Sequence, residues 1–107
     1  MTIPTDLREQ IINELKAIVS ETLSDQSVKV YLFGSWARAE EKQSSDIDLA
    51  IEATDPLPQI KWVELIDRIE ESTIPYQVDI VDLDTASPAL VNNIKEEGIL
   101  WEDCRRG

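Results

Sequence analysis

The chain has 107 residues, 42% apolar and 30% charged, with 10 basic against 22 acidic side chains and a net charge of −12. That suits one globular domain, residues 1–107, with a single modest core, and the one cysteine, Cys104, excludes a disulfide framework within the chain. The absence of histidine excludes every scheme built on an imidazole base or ligand, and the excess negative charge argues against gripping a nucleic acid by its phosphates.

Leu7, Ile11, Ile12, Leu15, Ile18, Val19 and Leu23 recur at helical spacing and predict an amphipathic helix opening near Pro4 and Thr5. Val28, Val30 and Leu32 alternate with Lys29, Tyr31 and Phe33, a strand that stops at Gly34. The segment 35-SWARAEEKQSS-45 carries too much charge to be core. The next strand, 46-DIDLAIEA-53, separates by its period of two: Ile47, Leu49 and Ile51 on one side, Asp46, Asp48, Ala50 and Glu52 on the other. After Pro56 and Pro58 a helix is expected over residues 59–72, with Ile60, Val63, Ile66 and Ile69 on its buried side. Pro75 precedes a third strand, 76-YQVDIVDL-83. Ser87 and Pro88, a cap and a first-turn proline, open a last helix that ends at Gly98, and Ile99, Leu100 and Trp101 make a short closing strand. Trp62 and Trp101 read as packing residues, Trp36 as a half-buried anchor, and Cys104 as an incidental part of a charged tail. The expected fold is α/β: a small mixed β-sheet flanked by α-helices. No apolar run approaches the ~18 residues of a membrane span, and no basic-then-apolar leader opens the chain, so a cytoplasmic protein is expected.

The chemistry gathers around two misplaced acids. Aspartate is a poor strand former, and like charges on one strand face repel. Asp46 and Asp48, two apart, point to the same side. Mg2+ is commonly held by one or two carboxylates plus phosphate oxygens, and two such ions can activate an attacking oxygen and steady a leaving one. A further carboxylate comes from Asp79, an acid set inside the apolar third strand. Parity turns Asp79 away from Val78 and Ile80, whereas Asp82 shares their side, so Asp79 is the expected third ligand. Upstream, Gly34 lets backbone approach a ligand closely and Ser35 adds a hydroxyl donor. Arg38, three residues on, falls on the same side of a first helical turn and offers guanidinium donors to a phosphate. Ser45 is placed to cap or orient Asp46. A phosphate grip and a metal grip on adjacent strands describe a site for a nucleoside triphosphate.

Gly34-Ser35, then ten residues, then Asp46-x-Asp48, then Asp79 resembles the signature of the nucleotidyltransferase superfamily built on the DNA polymerase β-like fold. The flanking Phe33-Gly34-Ser35-Trp36-Ala37-Arg38 and Ser45-Asp46-Ile47-Asp48-Leu49 fit as well, and the likeness extends over almost the whole chain. The chain looks most like the minimal nucleotidyltransferases, stand-alone domains of which many are antitoxins to a HEPN-class ribonuclease toxin. The resemblance implies Mg2+, two ions by the family pattern, and ATP as substrate. It also implies a cognate HEPN toxin as partner in a hetero-oligomer, and transfer of AMP to a hydroxyl of that toxin, a tyrosine. It casts Asp46, Asp48 and Asp79 as catalytic and metal-holding residues, Asp79 being the candidate base by position, and Gly34, Ser35 and Arg38 as nucleotide-binding residues. Ala39 departs from the glycine that relatives often carry there. An alternative reading stays open, a non-catalytic antitoxin that neutralises a basic partner by contact alone. A small-molecule nucleotidyltransferase fits less well, since an acceptor pocket takes more chain than this.

Overall fold

The computed structural model describes residues 5–38 and 46–104. Helix α1 (Thr5–Thr22) leads into β1 (Val28–Phe33), β2 (Ile47–Ala53), α2 (Gln59–Glu70), β3 (Val78–Asp82), α3 (Pro88–Glu97) and β4 (Ile99–Cys104). The strands form one sheet in the order β3-β2-β1-β4. β1 runs antiparallel to β2 and β4, whereas β3 joins β2 in parallel after the crossover through α2.

The period-two separation in β2 decides which layer sits on which face. Ile47, Leu49 and Ile51 enter the larger core with Val28, Val30 and Leu32 of β1, Ile11, Leu15 and Val19 of α1, and Leu65 and Ile69 of α2. On the opposite face Ala50 packs with Leu83 and with Ile94 of α3. Each fully buried Leu or Ile contributes about 1.5–3 kcal/mol relative to exposure, so the α1/α2 layer carries most of the stability. The thinner α3 face is left to carry polar groups.

Three sequence expectations need correction. The buried arc of α2 does not run through Ile60, Val63 and Ile66, which are 72%, 49% and 44% exposed; Leu65 is buried in their place, beside Ile69, which is buried as expected. Trp62, Leu65 and Ile69 pack on the core together, and polar contacts flank that arc. Arg68 donates to the Thr22 hydroxyl at 2.8 Å and pairs with Glu21 at 2.7 Å, while Lys61 reaches Asp25 at 3.3 Å. Those contacts lie on the Lys61–Leu65–Arg68 side of the helix, the side that faces the end of α1. Second, the closing strand does not stop at Trp101 but continues to Cys104: Asp103 and Cys104 pair with Lys29 and Val28, because backbone pairing to β1 is indifferent to side-chain charge. Third, Trp36 is fully rather than half buried. Helix α3 ends at Gly98 as expected; its φ is −75°, and glycine is required there because a Cβ would meet the Ile94 carbonyl and lie 3.2 Å from the Leu32 carbonyl. The start of α3 is as expected, with the Ser87 hydroxyl accepting from the Leu90 N–H at 3.3 Å ahead of Pro88. Among the described residues no helix is long and apolar enough to cross a membrane.

Candidate active site

Strand β1 ends where β2 and β3 begin, and the candidate residues collect at that end of the sheet. Phe33 stands opposite Asp48 in the antiparallel pair, and Asp48 stands opposite Asp79 in the parallel one. Register partners point to the same side, so both carboxylates belong to the face that α3 packs on. Asp46, exposed and one residue ahead of β2, lies on that side by its spacing from Asp48.

Gly34 follows β1 with φ +76°, the left-handed region that favours glycine. A Cβ at that position would collide with the Asp48 carboxylate, whose Cγ would be 3.3 Å away. Glycine therefore opens the turn and makes room for the acid at once. The Ala37 and Arg38 N–H groups donate to the Gly34 carbonyl at 3.1 and 3.3 Å, winding residues 34–38 into a tight turn with Ser35 near its start. Arg38 is exposed at the end of this turn, its Nη1 4.0 Å from Glu97 at the end of α3. An exposed pair of this kind contributes about 0–1 kcal/mol, against about 1.5–3 kcal/mol for a hydrogen bond to a charged group such as phosphate. Ala39 and Ser45 lie outside the described residues.

The electrostatics single out Asp48. Burial holds its carboxyl above the ordinary range, and the charges of Asp79 and Asp46 push it further. Asp48 is thus close enough to Asp79 and to Asp46 to be repelled by both, and a cation would relieve the repulsion. The donors are all oxygen, which suits Mg2+. Among the described residues no three acidic side chains are grouped tightly enough to ligate one ion unaided, so the offer is carboxylates completed by phosphate oxygens. Neighbouring acids are committed elsewhere. Glu52 pairs with Lys95 at 2.7 Å, and the Asp82 carboxylate accepts from the Asp84 N–H at 2.9 Å.

A stability consequence follows from the raised Asp48. Its folded form holds a proton more tightly than the unfolded chain does, so the charged carboxylate destabilises the metal-free fold. That penalty is full above the raised folded pKa and is gone below the unfolded value of about 3.9. Asp48→Asn is therefore expected to melt higher than the parent chain at pH 7 without Mg2+, with the two melting temperatures converging toward pH 4. Thermal melts across that range check it; a gap that widens on acidification contradicts it.

Sequence reading marked Trp36 as an anchor but overlooked Arg8 and Tyr76, which brace it. Trp36 is buried with its ring edge-on to Tyr76, centroids 5.5 Å apart at 69°, and Arg8 of α1 donates to the Trp36 carbonyl at 2.5 Å. Arg8 is 28 positions away and looks like any helix-surface charge, so no spacing marks it.

Residues 13–102, a span that contains every candidate site residue, match the family described as polymerase beta, nucleotidyltransferase. The chain belongs to that family. Among its relatives, the protein adenylyltransferase MntA of Shewanella oneidensis is 38% identical over 96 residues, covering 86% of this chain and 67% of MntA. A crystal structure of a toxin–antitoxin with AMP-PNP aligns with a TM-score of 0.66 at 30% identity, over 92% of this chain and 75% of that one. The structure of the tri-AMPylated Shewanella oneidensis HEPN toxin in complex with MNT antitoxin aligns at 0.64 and 27% identity, over 89% and 71% of the two chains. The four-stranded mixed sheet with its three helices is a nucleotidyltransferase fold of the polymerase β kind, as the resemblance implied.

Proposed function

We propose that this chain is a Mg2+-dependent protein adenylyltransferase and the antitoxin of a cognate HEPN toxin, transferring AMP from ATP to a hydroxyl of that toxin, a tyrosine. The observation that carries this is the convergence of Gly34, Asp48 and Asp79: the left-handed turn presses directly on the acid whose register partner is the next acid. The names of the relatives supply the acceptor class, since one is a protein adenylyltransferase and another an antitoxin in complex with an AMPylated HEPN toxin.

In this reading the main-chain N–H groups at the start of the turn, ahead of the Ala37 and Arg38 donors that the Gly34 carbonyl engages, hold the triphosphate with the Ser35 hydroxyl, and the Arg38 guanidinium adds a cationic clamp. Asp46 and Asp48 hold Mg2+, with Asp79 as the further carboxylate. Bound there, Mg2+ neutralises phosphate charge and eases deprotonation of an attacking hydroxyl. The toxin hydroxyl oxygen bonds to the α-phosphorus, the α-phosphorus bond to the pyrophosphate oxygen breaks, and Asp79 accepts the hydroxyl proton. Asp79 is the exposed one of the two register partners, which leaves it open to an incoming acceptor. The two proteins act as a hetero-oligomer in the cytoplasm, with residues 1–107 working as one domain and no direct contact to nucleic acid.

The test is an incubation of the purified chain with ATP, Mg2+ and its cognate HEPN toxin, followed by intact mass. A gain of one or more adenylate units on the toxin is expected. An unmodified toxin that is nonetheless neutralised in a tight complex would replace catalysis with inhibition by contact.

A further inference from the structure

The connection leaving β1 buries a whole indole one residue after Ser35, where a surface turn ordinarily carries small polar groups. Trp36 is held from two sides. Its ring meets Tyr76 edge-on, and Tyr76 leads into β3, the strand that bears Asp79. From α1, Arg8 donates Nη2 to the Trp36 carbonyl at 2.5 Å and sets its guanidinium 5.8 Å from the indole centroid. Arg8 thus grips both the main chain and the ring of one residue, through a charge-assisted hydrogen bond and a cation–π contact.

The chemistry of a phosphate-gripping turn gives that arrangement a purpose. Phosphate oxygens are bound by N–H groups and repelled by carbonyl oxygens, so such a turn works best when its carbonyls are engaged elsewhere. The Gly34 carbonyl accepts from Ala37 and Arg38 within the turn, and the Trp36 carbonyl accepts from Arg8. We infer that Arg8 is a positioning residue for the triphosphate: it fixes Trp36, and through it the turn of residues 34–38, without touching the nucleotide. This rests on the reading of that turn as the phosphate grip.

Steady-state AMP transfer to the toxin at varied ATP tests it, with Arg8→Met, Arg8→Lys and Ser35→Ala compared in the assembled pair. Met keeps the aliphatic length and loses the donor and the charge; Lys keeps the charge and one set of donors. Arg8→Met is expected to raise the KM for ATP about tenfold with kcat changed less than twofold, and Arg8→Lys to recover most of the loss. A raised KM in Ser35→Ala beside an unmoved KM in Arg8→Met overturns the inference and leaves the phosphate turn standing. No change in either variant removes the phosphate turn as well. A lower melting temperature in Arg8→Met with KM unmoved reduces Arg8 to a purely structural role and also overturns the inference. If Arg8→Met does not fold, Trp36→Phe serves instead: it keeps a buried ring but weakens the cation–π contact, and KM is expected to rise about threefold. An unmoved KM there overturns the inference equally.

Discussion

Replacing Asp46 and Asp48 together by asparagine is expected to abolish AMP transfer: in the mass assay the toxin should keep its unmodified mass, whereas with the parent chain it should gain adenylate. The substitution preserves shape and a hydrogen-bonding oxygen at each position and removes only the charges. A metal ion supplies several kcal/mol of transition-state charge stabilisation, and at 1.36 kcal/mol per factor of ten its loss slows the step by about a thousandfold or more. Unfolding is not the expected route to inactivity. Asp48 is electrostatically disfavoured in the fold by its own burial and by Asp79 and Asp46, so Asn at that position relieves strain. The doubly substituted chain should therefore melt no lower than the parent and still bind the toxin. Undiminished transfer by this variant would show that the paired acids do not hold the metal.

The acids were legible in the sequence because strands enforce a strict rule. With a period of two, an aspartate between Ile47 and Leu49 has no packing reason to exist, and register then brings Asp48 and Asp79 together across adjacent strands. Gly34 was legible for a related reason, since a glycine where a strand gives way to a polar segment signals unusual backbone. What pattern could not supply was the rotation of α2. Ile60, Val63 and Ile66 look like core by hydropathy, yet a different arc faces inward, flanked by Arg68 bonded to Thr22 and Lys61 paired with Asp25. Long side chains choose such partners only in three dimensions. The same limit hid Arg8, whose partner is a main-chain carbonyl, a group that every residue carries and no sequence motif advertises. The acidic stretch at Glu102 and Asp103 misled in another way: strand pairing at an edge is decided by backbone.

Gly34→Ala is expected to lose both stability and activity, and the two losses have separable causes. An alanine at φ +76° enters the left-handed region at about 1–2 kcal/mol. Its Cβ would also run into the Asp48 carboxylate, so either Asp48 leaves its place or the turn unwinds. For a domain near 100 residues about 1 kcal/mol lowers the melting temperature by ~4–8 °C, so a drop of at least that size is expected. Activity should fall further, about a hundredfold, because misplacement on the order of 1 Å between phosphate and metal ligand is costly to a positioned reaction. A double-mutant cycle on stability separates the causes. In an Asp48→Ala background the carboxylate is gone and only the residue 48 Cβ remains, 3.5 Å from the new methyl, which is ordinary contact. The backbone penalty should persist there and the steric one vanish, so Gly34→Ala should be less damaging than in the parent chain. Strict additivity would mean that backbone conformation alone excludes alanine, and that Asp48 does not press on Gly34 in solution. A clear positive coupling would place the phosphate turn and the metal ligand in contact before any nucleotide arrives, a site preorganised by the absence of one side chain.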